Sequence, residues 1–156
     1  MLRERRVAKT YLAIVEGTVR DGELWWQDGL LRDKTEKKTF VGGGGSPQEK
    51  VAQTSVRALA RKGSCTLIEA CIATGRTHQI RAQAAAHGHP LAGDIKYGGS
   101  KIAGGGFFLH AWKIGFDLDI AGLPRLIIAP LPEPFMAQVI TLFGDAPSQP
   151  LQGILS

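Results

Sequence analysis

At 156 residues the chain is long enough for one hydrophobic core, since a domain of that size removes roughly two thirds of its unfolded surface from water. With 44% hydrophobic and 21% charged residues the composition is globular and excludes a fibre or a disordered tail. The net charge of +5 and pI near 9.5 point to a polyanionic partner, because each phosphate contact made by Lys or Arg releases condensed counterions.

No apolar run approaches the roughly 20 residues that cross a bilayer, so no membrane association is expected. The segment Met1 to Lys9 holds Arg3, Arg5, Arg6 and Lys9 but no apolar stretch like that of a signal peptide, and a cytoplasmic location follows as an expectation. Cys65 and Cys71 fall on one face of an extended segment, too far apart to bridge, and read as buried free thiols.

From the amino terminus, Thr10 to Val19 is rich in Tyr, Ile and Val and predicts a strand. Arg20-Asp21-Gly22 supplies a tight turn, from which Glu23 to Trp26 is expected to return as the hairpin partner of that strand. Arg32, Lys34, Lys37 and Lys38 form a second basic stretch, on either a solvated surface or a nucleic-acid face. Gly42 to Ser46, ahead of Pro47, predicts a mobile loop, and without a Gly-Lys-Ser/Thr tripeptide it is no phosphate-cradling loop.

Val51 to Arg61 fits strand parity and a helical stripe equally well, whereas Thr66 to Ala73 predicts a buried strand. Thr77 is a good N-cap type ahead of an alanine-rich run to His87, with Gly88 as its stop, which predicts a short helix. Pro132-Glu133-Pro134 opens a second helix carrying Phe135, Val139, Leu142 and Phe143 at helical spacing. Together these predict an α+β domain over residues 1–145, a mostly antiparallel mixed sheet flanked by a few helices, with 146–156 as a loosely ordered tail.

The segment Thr74-Gly75-Arg76-Thr77-His78-Gln79-Ile80-Arg81 places a strand end, a helix start, two arginines and a histidine together, which makes either an anion site or a capped helix whose arginines face solvent. His87-Gly88-His89 lacks partners for a tetrahedral set, so no metal is expected. Trp25, Trp26 and Trp112 read as packing residues rather than stacking platforms for bases.

That octapeptide, followed by Gly88-His89-Pro90-Leu91-Ala92-Gly93-Asp94 and Tyr97-Gly98, resembles the signature of RluA-type pseudouridine synthases. Lys9 to Gly17 resembles the family's tyrosine motif and Leu109-His110-Ala111 its closing strand, in matching order over roughly residues 7–143. The resemblance implies isomerisation of uridine to pseudouridine in ribosomal or transfer RNA, without metal or organic cofactor. It implies that Tyr11 stacks on the base and removes the C5 proton, and that Arg81 pairs with a catalytic aspartate. Lys9, Arg76, Thr77, His78, Gln79 and Leu109 would bind substrate.

These residue types suit the chemistry. A flipped base needs an aromatic or apolar wall to replace its lost stacking, and a carboxylate acting on the sugar is kept ionised by a nearby arginine. The family's His-Arg-Leu-Asp sequence is absent, however, and Asp21, Asp28, Asp33, Asp94, Asp117, Asp119 and Asp145 all follow Tyr11 without that context. Asp94 is expected to have a structural loop role. Arg81 should lack its carboxylate, and an exposed edge or apolar patch should favour self-association or association with a missing amino-terminal segment. Without that aspartate segment the synthase is expected to be inactive by itself, and the other reading is a non-catalytic RNA-binding remnant of such an enzyme.

Overall fold

A computed structural model of the chain describes residues 7–116, 122 and 124–144. The expected tail over 146–156, with Arg3, Arg5 and Arg6, lies outside the described residues.

The strand at the centre is β1 (Val7–Glu16), in which Leu12, Ala13, Ile14 and Val15 are all fully buried. Four consecutive buried residues cannot all face one side of a sheet, because side chains alternate. Both faces must therefore be covered. Leu12 and Ile14 pack with Phe135, Val139 and Phe143 of α2 (Glu133–Phe143), while Ala13 and Val15 pack with Ile80 and Ala84 of α1 (Gln79–Ala86). The helices lie on opposite faces of the sheet. Phe143→Ala should lower the unfolding free energy by about 3–5 kcal/mol, measured by denaturant titration, because it empties a fully buried site.

The remaining strands are β2 (Glu23–Asp33), β3 (Lys38–Val41), β4 (Lys50–Lys62), β5 (Cys65–Ile72), β6 (Leu109–Phe116) and β7 (Leu126–Ile128). Their order is β3-β2-β4-β5-β1-β6-β7, with every described pairing antiparallel. The ambiguous Val51 to Arg61 segment is thus strand, with a bulge between Ala58 and Ala60.

The expected hairpin between β1 and β2 does not form, although the turn glycine Gly22 has φ +88° as such a turn requires. β5 and β6 occupy the two edges of β1, and β2 lies beyond β4. The chain crosses the sheet end, where Val19 N–H donates to Thr66 Oγ1 and Arg61 Nε donates to the Val19 carbonyl. Long-range pairing with β5 and β6 fills both edges of β1, and local turn chemistry did not choose among partners.

The Gly42 to Ser46 segment is the irregular connection from β3 to β4, where Glu49 Oε1 accepts the Gly44 N–H. Both cysteines are free and half-buried rather than buried. Trp26 and Trp112 are packing residues as expected, but Trp25 is 54% exposed.

Candidate active site

Helix α1 carries few large apolar side chains, and polar anchors fix it to the sheet. Gln79 and Gln83 are four apart, hence on one helix face. Thr54 Oγ1 on β4 accepts from Gln79 Nε2 and donates to Gln83 Oε1. Gln83 Nε2 also donates to the Ala52 and Trp26 carbonyls and to Asp28. Gln79 Oε1 accepts from Thr74 Oγ1 and from the Arg76 N–H, while its Nε2 also reaches the Gln53 carbonyl. The Gln79 side chain thereby ties the 74–76 turn, through Oε1, to β4, through Nε2.

The helix begins later than its sequence suggests. Its N-cap is His78, with no side-chain cap bond, rather than Thr77. His78 has φ +51°, a left-handed conformation uncommon for any residue but glycine, and such strain persists only where the surroundings impose it. Here the Tyr97 hydroxyl holds the ring, 3.1 Å from His78 Nδ1, while its oxygen accepts the Thr39 N–H at 2.9 Å. Which of His78 Nδ1 and the Tyr97 hydroxyl donates to the other is set by the tautomer of the His78 ring.

Burial, and then the nearby charges of Arg81, Arg32 and Lys96, hold the His78 pKa below its ordinary 6.5, with Asp94 opposing. The native state therefore favours neutral histidine, and its stabilising contribution is complete above 6.5 and is lost as pH falls towards the depressed native pKa. Between about pH 7 and about pH 5 the protein should lose more unfolding free energy than the His78→Asn variant, whose side chain tolerates positive φ.

Arg81, one turn further on, makes a bidentate ion pair with Asp94: Nε to Oδ2 and Nη2 to Oδ1, both 2.8 Å. Asp94 is 1% exposed and the arginine side chain 14%. The hydrogen bond to Asp94 is the main cause raising the Arg81 pKa above its ordinary value. The guanidinium also lies 4.7 Å from the Tyr97 ring centroid and 4.4 Å from that of Phe107. The expectation of an arginine without a carboxylate is thus corrected, since the loop aspartate fills that role. The loop owes its shape to glycines: a Cβ on Gly93, at φ +90°, would collide with the Gly106 carbonyl, and one on Gly99 with Leu91 and Asp94 backbone atoms.

Tyr11 lies on the α1 face of the sheet, opposite Ala70 of β5 and Ala111 of β6, where the pairing shifts register between Thr10 and Tyr11. The extra residue is Trp112 of β6, and β1 itself runs past Tyr11 in unbroken register with β5. Tyr11, Ile72, Arg76, His78, Gln79, Ile80, Arg81 and Leu109 enclose one cavity of about 190 Å³. That is below the roughly 300–1,000 Å³ of a drug-sized pocket and leaves space for a single planar ring. Lys9 lies outside it, in an adjoining cleft of about 400 Å³ with Val7, Ile72 and Arg76. Thr77 lies in another, of about 270 Å³, with Arg32, Lys50 and Arg76. Arg76 lines all three.

Asp94, Tyr97 and Phe107, which clamp Arg81, were not among the expected site residues. Asp94 and Tyr97 stand inside the quoted motifs, but nothing in their spacing shows that they converge on Arg81. His87 stacks on Trp26 and contacts Asp28, and His89 contacts the Glu16 carbonyl, so each has a structural partner. Among the described residues no group of three or more His, Cys, Asp or Glu is placed to hold a metal. No described helix is long and apolar enough to cross a membrane.

A fold of this kind is found in human RNA Pseudouridylate Synthase Domain Containing 1, at a TM-score of 0.68 and 24% identity over 98% of this chain and 67% of that one. The family profile described as RNA pseudouridylate synthase matches residues 1–86, more than half of the sequence, and the chain belongs to that family. It is 37% identical over 137 residues to the uncharacterized RNA pseudouridine synthase YlyB of Bacillus subtilis, covering 87% of this chain and 44% of the relative. It is 34% identical over 145 residues to ribosomal large subunit pseudouridine synthase D of Neisseria meningitidis, covering 85% and 38% respectively. The chain thus spans about two fifths of the length of these curated relatives.

Proposed function

We propose that the chain carries the base-binding and proton-abstracting half of a pseudouridine synthase site acting on uridine in ribosomal or transfer RNA. The observation that carries this reading is the convergence of Tyr11 and Arg81 on one cavity sized for a single base, with Leu109 and Ile72 as apolar walls. In the reaction the bond from ribose C1′ to N1 breaks, the base turns, and C1′ bonds to C5. Tyr11 takes the C5 proton as its own hydroxyl proton is passed on, and N1 gains one proton, so the number of protons is unchanged. Leu109, Ile72 and the Tyr11 ring replace the stacking a flipped base gives up.

Cleaving the glycosidic bond calls for a carboxylate acting on the sugar, and among the described residues none lines the cavity. Asp94 is no candidate, being buried and bound through both oxygens. The catalytic aspartate is therefore delivered to Arg81 by a segment other than those described. Arg81 retains N–H groups beyond the two engaged by Asp94, and Asp94 holds the guanidinium in place to receive it. Gln79 acts as the buttress of the 74–76 turn, whereas Arg76, His78 and Lys9 contact the nucleotide and its phosphates.

RNA tritiated at uridine C5 tests this reading when the chain is supplied with an aspartate-bearing segment of the family. Tritium should be released. RNA binding without release under those conditions would favour the non-catalytic remnant.

A further inference from the structure

The cleft lined by Arg32, Thr39, Gln48, Lys50, Arg76 and Thr77 holds three cations and no carboxylate. The nearest acidic residues in sequence are turned to their own loops: Asp33 Oδ1 accepts the Thr35 and Glu36 N–H groups, and Glu49 Oε1 accepts the Gly44 N–H. Three like charges in one cleft repel one another, and an anion placed among them relieves that cost. The two arginines are braced as well. Arg76 Nε donates to the Val51 carbonyl at 3.0 Å and Arg32 Nη1 to Thr39 Oγ1 at 3.4 Å. Among the described residues both terminal nitrogens of Arg76 make no hydrogen bond and remain available to a ligand.

We infer that Arg32, Lys50 and Arg76 form a phosphodiester-binding site for the RNA strand beside the target nucleotide. Arg76 ties this cleft to the base cavity, since it lines both, and Arg32 is near enough to help depress the His78 pKa. A phosphate here would lie one cleft away from a base stacked on Tyr11. The strand would then pass over the β2–β3 hairpin, where Lys38 already approaches the Tyr97 ring. This inference rests on the proposed function for the identity of the polyanion, but not for the presence of the anion site.

The test is the salt dependence of binding to a labelled single-stranded RNA, measured by fluorescence anisotropy on the full chain. The Arg32→Gln/Lys50→Gln double variant is compared with the wild type and with Lys62→Gln, at the opposite end of β4. Losing two phosphate contacts should make the slope of log affinity against log salt shallower by about 1.4, at ~0.7 per contact on single strands. Lys62→Gln should leave the slope unchanged. The inference is overturned if the double variant keeps the wild-type slope, if Lys62→Gln flattens it equally, or if the wild type binds no RNA. If the slope falls as expected while Tyr11→Phe leaves tritium release untouched, the anion site stands and the catalytic reading fails. If release depends on Tyr11 but the slope does not change, the reverse holds.

Discussion

Tyr11→Phe should reduce tritium release from C5 by about 100- to 10,000-fold, the range a positioned general acid or base contributes. RNA affinity and unfolding free energy should stay within a few tenths of a kcal/mol of the wild type. The separation follows from where the parts of Tyr11 lie. Its ring packs with the core that includes Ala13, Ile68 and Ala70, and phenylalanine keeps that ring. Only the hydroxyl is lost. Tyr11→Ala should weaken both binding and stability, because it removes the wall as well as the proton acceptor. An active Tyr11→Phe variant would remove the tyrosine from the chemistry and leave it a stacking platform only.

Asp94→Asn should cost about 2–3 kcal/mol of stability and most of the activity, although the residue touches no substrate. Replacing a buried carboxylate by an amide keeps one acceptor but leaves the Arg81 charge without its counterion. Arg81→Lys should not restore function, since an ammonium is a point charge and cannot reproduce the two parallel bonds. The Arg81→Leu/Asp94→Leu double variant should be more stable than either single variant and wholly inactive. If Asp94→Asn is as stable and active as the wild type, the pair does not position Arg81.

Much of the site was legible because its chemistry is concentrated in short segments. Thr74 to Arg81 carries both the strand-to-helix turn and five of the cavity's side chains, Arg76, His78, Gln79, Ile80 and Arg81. The two helices were equally legible, since Gly88 and the Pro132–Pro134 run punctuate them locally. Tertiary choices were not. Nothing between Glu16 and Glu23 tells a hairpin from a crossover, and the choice rests on β5 and β6 taking both edges of β1. The start of α1 was misjudged because residue type favoured Thr77 as N-cap, whereas the N-cap is His78 in a left-handed conformation beside the Tyr97 hydroxyl, without any capping side chain. Lys9 and Tyr11 are two apart in one strand, yet they line separate clefts that share Ile72 and Arg76.

Titrating the labelled chain with a short RNA carrying a single uridine, with NMR of the Tyr11 ring and the Arg81 Nε–H, tests the convergence on which the functional reading depends. Both signals should shift together and saturate at the same RNA concentration, with smaller changes at Lys62 on the far end of β4. Shifts confined to the Trp25 face of the sheet, with Tyr11 and Arg81 unmoved at saturation, would contradict it.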